Sequence, residues 1–304
     1  MGKRNYFLDF WKFIAAIGVI LVHIPFPGKF GTIMTCVGTW GVGFFAIISG
    51  YACCGDSKVM SKKILKRFVR NGIITALAIA LYMTFSYFAY KSDNILILWQ
   101  LELKKPMTFV KMIFMGDFEF FYGSPLWYMV ALLYCYLILF VLVRFNLKKV
   151  IYVLCPIFAV ARIIVDSYVN SFGAIWHYSG NALIGVLPMM LLGYVIADNK
   201  EKLMKIPTWN LILGAKKPNW YIIKPIAYLG REDSLYIYLF HFILLYYLSV
   251  FMYSYPKAGR YAAWQLPLLV IIVSVVFARI VSMIVFFFKW LFKKVFVKKS
   301  AAQA

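Results

Sequence analysis

Long apolar runs alternate with short, polar and mostly basic ones along almost the whole chain. A helix rises about 1.5 Å per residue, so crossing a hydrocarbon layer about 30 Å thick takes roughly 20 mostly apolar residues. Eight stretches meet that measure, near residues 7–26, 35–54, 69–90, 125–143, 149–166, 181–197, 234–253 and 264–288. Two more, near 95–121 and 207–229, are apolar but broken by Pro, Gly or charge. Re-entrant, interfacial and short spanning helices all fit those two. In lipid every backbone N–H and C=O must be satisfied internally, which makes helices the form for such runs. The pattern predicts an all-α fold, a polytopic transmembrane helix bundle with eight clear helices and about ten in all. Nothing in it suggests a second domain, so residues 1–304 are expected to form a single membrane-embedded domain.

Composition agrees. The chain is 63% hydrophobic, with a mean hydropathy of +0.79 and only 14% charged residues, against about 25% in soluble domains. A net charge of +22 would suggest nucleic acid if it lay on one soluble face. It lies instead in short runs between the apolar stretches, so nucleic acid is not an expected partner and the lipid bilayer is. With the N-terminus inside and eight crossings, 22 of the 33 Lys and Arg fall on the inner side and seven on the outer. The inner regions are the N-terminus, residues 55–70, 144–149 and 198–225, and the tail from Lys289. This bias predicts both termini in the cytoplasm and residence in the cell's inner membrane. Lys3 and Arg4 before an apolar run imitate a signal peptide. Asp9 and Lys12 interrupt the run and no small-x-small site follows, so a retained first helix is expected. The five cysteines show no metal spacing; they read as small buried side chains, and no metal is expected.

Charges within the apolar runs need a reason, since a Lys or Arg at a helix centre costs about 2.5–3.5 kcal/mol on insertion scales. The first helix carries Asp9, Lys12 and His23. Eleven residues is close to a whole number of helical turns, so Lys12 and His23 share one face, about 16 Å apart along the axis. Asp9, one turn earlier, is placed to pair with Lys12. A lined path through the membrane fits this arrangement; so do a snorkelling lysine and an interfacial histidine. Histidine titrates near neutral pH, as general acid–base chemistry requires. Arg162 and Arg279 stand in later helices, fit either to bind an anionic group or to pair with Asp166, Asp9 or a carbonyl. His241 reads foremost as a packed, hydrogen-bonded residue. Asp117 and Glu119, set among aromatics before the fourth helix, suit sugar binding or a plain solvated loop. Gly41–Gly50 has no Lys-Ser/Thr end and is not a phosphate loop; its small residues suit close helix packing.

Several of these segments together resemble the acyltransferase 3 family. Leu8-Asp9-Phe10-Trp11-Lys12 followed by His23 is similar to that family's first helix, with Lys12 where Arg is usual. Phe44-Phe45 through Ser49-Gly50-Tyr51 resembles its second-helix motif, and Leu126-Trp127-Tyr128-Met129 the start of a middle helix. Leu191-Leu192-Gly193-Tyr194 and Ser234 through His241 resemble two later ones. The resemblance runs from residue 8 to residue 241. It implies a multi-pass O-acyltransferase moving an acyl group, acetyl by default, from acetyl-CoA to a surface carbohydrate. His23 and Lys12 are then the expected catalytic residues. Asp9, Ser49, Asp117, Glu119, Trp127, Arg162, Arg279 and His241 are the expected substrate contacts, and polysaccharide-assembly proteins are candidate partners. A transporter or flippase of lipid-linked sugars explains the helices and buried charges equally well, but not the ordered motifs. A scaffold within an assembly complex is a third reading.

Overall fold

The computed structural model describes residues 5–90, 93–117, 125–172, 180–209, 223–254 and 262–301. The described residues are helical almost throughout, with no strand among them. In chain order the helices are α1 (Tyr6–His23), α2 (Gly28–Tyr51), α3 (Ser57–Tyr90), α4 (Asp93–Leu103) and α5 (Pro106–Val110), which a π-turn (Lys111–Met115) extends. Then come α6 (Leu126–Arg144), α7 (Lys148–Phe172), a π-turn (Ala182–Val186) running into α8 (Leu187–Asp198), and α9 (Lys200–Leu203). The last three are α10 (Ile223–Glu232), α11 (Ser234–Tyr253) and α12 (Ala262–Ala301). Seven of these are long and apolar enough to cross a bilayer: α1, α2, α3, α6, α7, α11 and α12. The helix expected near 181–197 is present as one apolar stretch, Ala182–Asp198, whose first turn is a π-turn and which is a little shorter than the seven. Pro188 in the first turn of α8 marks the change; its missing N–H suits a helix start. The broken stretch at 95–121 resolves into α4, α5 and a π-turn that stops at Gly116, whose φ is +70°.

Local chemistry sets these boundaries. The Asn5 carboxamide oxygen accepts from the N–H groups of Phe7 and Leu8 and starts α1. Asn181 does the same for Leu183 and Ile184. Such caps satisfy N–H groups that have no intrahelical partner. Asp56 accepts from the Val59 N–H at the head of α3. That cap, followed by good helix formers, lets α3 begin at Ser57 rather than near 69. The basic stretch expected as a loop at 55–70 is therefore largely the first third of a helix. Lys58, Lys62, Lys63, Lys66 and Arg70 are exposed on it.

The chain divides into two compact units, Met1–Gly41 with Ala215–Ala304, and Val42–Gly214. In the first, α1 runs beside α10 and then α11, and α11 pairs with α12. Phe240 meets Phe277 at 5.0 Å between centroids, and Asp233 faces Arg279, so α11 and α12 are antiparallel. In the second, α3 lies along α6, whose Leu126, Met129, Cys135 and Leu139 are buried. Here α2 crosses α8 backbone to backbone: a Cβ on Gly50 would collide with the Met190 carbonyl, and one on Gly193 with that of Ile47. Small residues allow this approach where lipid supplies no hydrophobic drive between helices. Asp198, at the end of α8, accepts from Lys148 at 2.7 Å and from the Tyr152 hydroxyl at 2.5 Å, tying α8 to α7.

Candidate active site

The first unit gathers Asp9, Lys12, His23, His241 and Arg279. Along α1 the chemistry separates into two levels. At the N-terminal level, Lys12 Nζ donates to Asp9 Oδ1 at 2.9 Å, as the i,i+3 spacing allows. Asp9 is buried, 7% exposed, while the Lys12 side chain keeps 26% exposure. The backbone of Gly230 presses on this turn; a Cβ there would collide with the Asp9 carbonyl. The pair thus sits where α1 and α10 touch.

At the C-terminal level, His23 closes α1. Its ring lies 5.3 Å from that of His241, centroid to centroid, and 5.6 Å from Phe242. His241 is wholly buried. Its Nδ1 stands 2.7 Å from the Tyr238 carbonyl oxygen. A carbonyl only accepts, so Nδ1 carries the proton and the neutral ring keeps an unprotonated Nε2. That Nε2 is buried and has no hydrogen-bond partner among the described residues. A buried polar atom without a partner costs about 1–3 kcal/mol. Here the cost is borne by a basic nitrogen in the ring that faces His23. Ser274 on α12 is another buried side chain whose hydroxyl has no partner among the described residues. The antiparallel register set by Phe240–Phe277 brings it to the level of His241.

Arg279 belongs to the other level. Its Nη2 donates to the Tyr228 hydroxyl at 3.0 Å, and its Nη1 stands 3.6 Å from Asp233 Oδ1. Asp233 is wholly buried at the N-cap of α11, and burial pushes its carboxyl up against the opposing pull of Ser282 and Arg279. Asp233 is eight residues from His241, about 12 Å along the helix, so Arg279 is not beside the histidines.

The remaining expected contacts lie in the second unit. Arg162 bonds the Gly185 carbonyl at 2.6 Å and Asp166 at 3.3 Å, joining α7 to the π-turn before α8. Ser49 is hydrogen-bonded to Tyr136 within the packing of α2 and α6. The Trp127 ring packs on Tyr128 at 6.1 Å. Asp117 is half-buried just after the π-turn, and Glu119 lies outside the described residues.

Sequence reasoning passed over two residues, Tyr228 and Asp233. The Tyr228 ring takes both Arg231 and Arg279 onto it, at 4.9 and 4.7 Å from its centroid. Asp233 carried a legible signal, an acidic residue immediately before a long apolar helix.

Residues 5–215 match the acyltransferase domain of the acyltransferase 3 family. The chain belongs to that family, and it is a multi-pass membrane acyltransferase. This settles the choice among enzyme, transporter and scaffold in favour of the enzyme. Among curated proteins and among solved structures nothing matches the chain significantly.

Proposed function

We propose that the protein moves an acyl group, acetyl by default, from cytoplasmic acyl-CoA to a hydroxyl of a cell-surface or lipid-linked carbohydrate, with His23 as the base. The observation that carries this reading is the facing pair His23–His241, in which a carbonyl fixes the tautomer of the second ring. In this reading the bare Nε2 of His241 accepts a hydrogen bond from one ring N–H of His23 during the reaction. The other nitrogen of His23 is then free as a base, in the manner of an imidazole oriented by a third group.

In the reaction, the acceptor's O–H proton passes to His23 as the oxygen attacks the thioester carbonyl. The C–S bond breaks, and the proton returns to the departing thiolate. Attack by His23 itself, giving a short-lived acyl-imidazole that the acceptor hydroxyl then opens, uses the same geometry. Lys12 stands at the other level of α1, on the side proposed for the donor, held in place by Asp9. With both termini in the cytoplasm, the exposed lysines at the head of α3 offer a cationic surface to coenzyme A phosphates.

The test is purified protein in nanodiscs with labelled acetyl-CoA and a candidate glycan acceptor. Label should pass to the acceptor with wild type and not with His23→Ala. Wild-type transfer by a folded His23→Ala protein would defeat the assignment. Mass analysis of surface glycans from cells with and without the protein identifies the acceptor.

A further inference from the structure

We propose that the cavity of about 360 Å³ bounded by α10, α11 and α12 is a binding site for a phosphate-bearing amphiphile, its phosphate held by Arg231, Arg279 and Lys289. The charge on its wall is the first reason. Three cations line it, against one lining carboxylate, Glu232, which is ion-paired to Arg231. Asp233 is ion-paired to Arg279 at 3.6 Å, and Lys289 makes no ion pair among the described residues, so three cations face two carboxylates. The lining keeps a positive excess.

The second reason is preorganisation. Arg231 and Arg279 both lie over the Tyr228 ring, and the Tyr228 hydroxyl accepts from Arg279. Two guanidiniums on one ring repel each other, and an anion bridging them removes that repulsion. Their planar donor groups match phosphate oxygens. Both side chains are about a third exposed, so a ligand reaches them.

The third reason is shape and depth. On α12 the lining residues Arg279, Ser282, Met283, Phe286 and Lys289 follow i, i+3, i+4, i+7 and i+10, one helical face. The exposed Met283 and Phe286 make that face apolar between the charged groups, as an amphiphile requires. Arg279 is 17 residues into α12, about 26 Å along its axis. That depth is where a crossing that starts near Ala262 reaches the opposite headgroup layer. It is also the level of Asp9 and Lys12, since α10 touches α1 there. A ligand with its phosphates in the cavity is therefore about 16 Å from His23 along α1, with an apolar or pantetheine-like arm left to extend that way.

Two sources supply this chemistry: the phosphates of the acyl-CoA donor, and the headgroup of an anionic phospholipid. The first rests on the acyl-CoA reading above; the second does not.

The experiment has two arms. In one, protein in neutral phosphatidylcholine nanodiscs is titrated with coenzyme A. In the other, phosphatidylglycerol retained on the purified protein is measured against phosphatidylcholine by native mass spectrometry. Both arms use wild type, Arg231→Gln and Lys289→Gln. Lys289 is exposed and without an ion pair, so its variant keeps the fold intact and the test interpretable. Loss of a charge-assisted contact should weaken binding about tenfold or more. Weaker coenzyme A binding assigns the site to the donor, weaker phosphatidylglycerol retention assigns it to lipid, and either supports the proposal. Unchanged binding of both ligands in both variants overturns it. If wild type binds no coenzyme A at all, the acyl-CoA reading falls, and the lipid arm alone decides the site.

Discussion

The rings of His23 and His241 face each other at 5.3 Å, and the Tyr238 carbonyl holds the His241 ring so that its other nitrogen is left without a partner among the described residues. One histidine ends the first helix and the other is buried in the next-to-last.

His241 is therefore expected to act as a positioning residue for His23. His241→Phe keeps a ring of similar bulk but removes the basic nitrogen. It should lower kcat by about 10²-fold, the lower range for a lost acid–base partner, with KM little changed. It should also alter the pH profile of kcat, which a purely structural role would leave alone. Steady-state acylation kinetics across pH check this. An unchanged profile and kcat would reduce His241 to packing.

The Asp9–Lys12 pair should matter to folding as well as to chemistry. Removing one partner of a buried pair costs about 3–5 kcal/mol; Lys12 is partly exposed, so the lower end or less is expected here. Lys12→Ala removes a cationic partner from the buried Asp9 carboxylate and should lower the unfolding temperature and abolish transfer. Lys12→Arg keeps the charge and should retain both. Thermal unfolding in detergent, run beside the acylation assay, separates the two effects.

Gly230 lets α10 lie on the backbone of α1 at Asp9. Gly230→Ala introduces a carbon where there is no room. The cost should be about 1–3 kcal/mol, as for overpacking elsewhere, seen as a lower unfolding temperature. Gly72, with open space around its missing Cβ, is the control: Gly72→Ala should be neutral or slightly stabilising, since alanine favours a helix.

Cys54 offers a pH test. Burial first, and the nearby Asp198 carboxylate next, push its thiol up to about 11, with Lys148 opposing. Only the thiolate reacts with alkylating reagents. At pH 8 roughly one thiol in a thousand is ionised at that pKa, so alkylation should be very slow and rise about tenfold per pH unit up to pH 11. Asp198→Asn removes a negative neighbour and should bring the thiol down and the rate up at pH 8. Mass spectrometry of alkylated peptides reads both, and fast labelling of wild type at pH 8 would contradict the geometry.

Much of this was legible along the chain, and the reason is locality. A spanning helix is written in about 20 consecutive residues, so α1, α2, α6, α7, α11 and α12 could be read from apolar runs. The alignment of Lys12 with His23 follows from helical geometry within one segment, and so does the reach of Asp9 to Lys12. Sequence reading failed where a boundary depended on a cap or a turn. The Asp56 cap carries α3 back through the basic stretch, and the helix read near 181–197 opens with a π-turn that no apolar run records.

What the sequence determined by itself was the class of fold, the family, and the two candidate residues of the first helix. Each is encoded in composition, period or a local motif. Only the tertiary structure brought His241 to His23, moved Arg279 away from them to Tyr228 and Asp233, and bound Arg162 to the Gly185 carbonyl. These are relations between side chains on helices distant in sequence. They depend on which helix faces pack together, and in lipid that choice rests on close fit and hydrogen bonds rather than on hydrophobicity, so no apolar period records it.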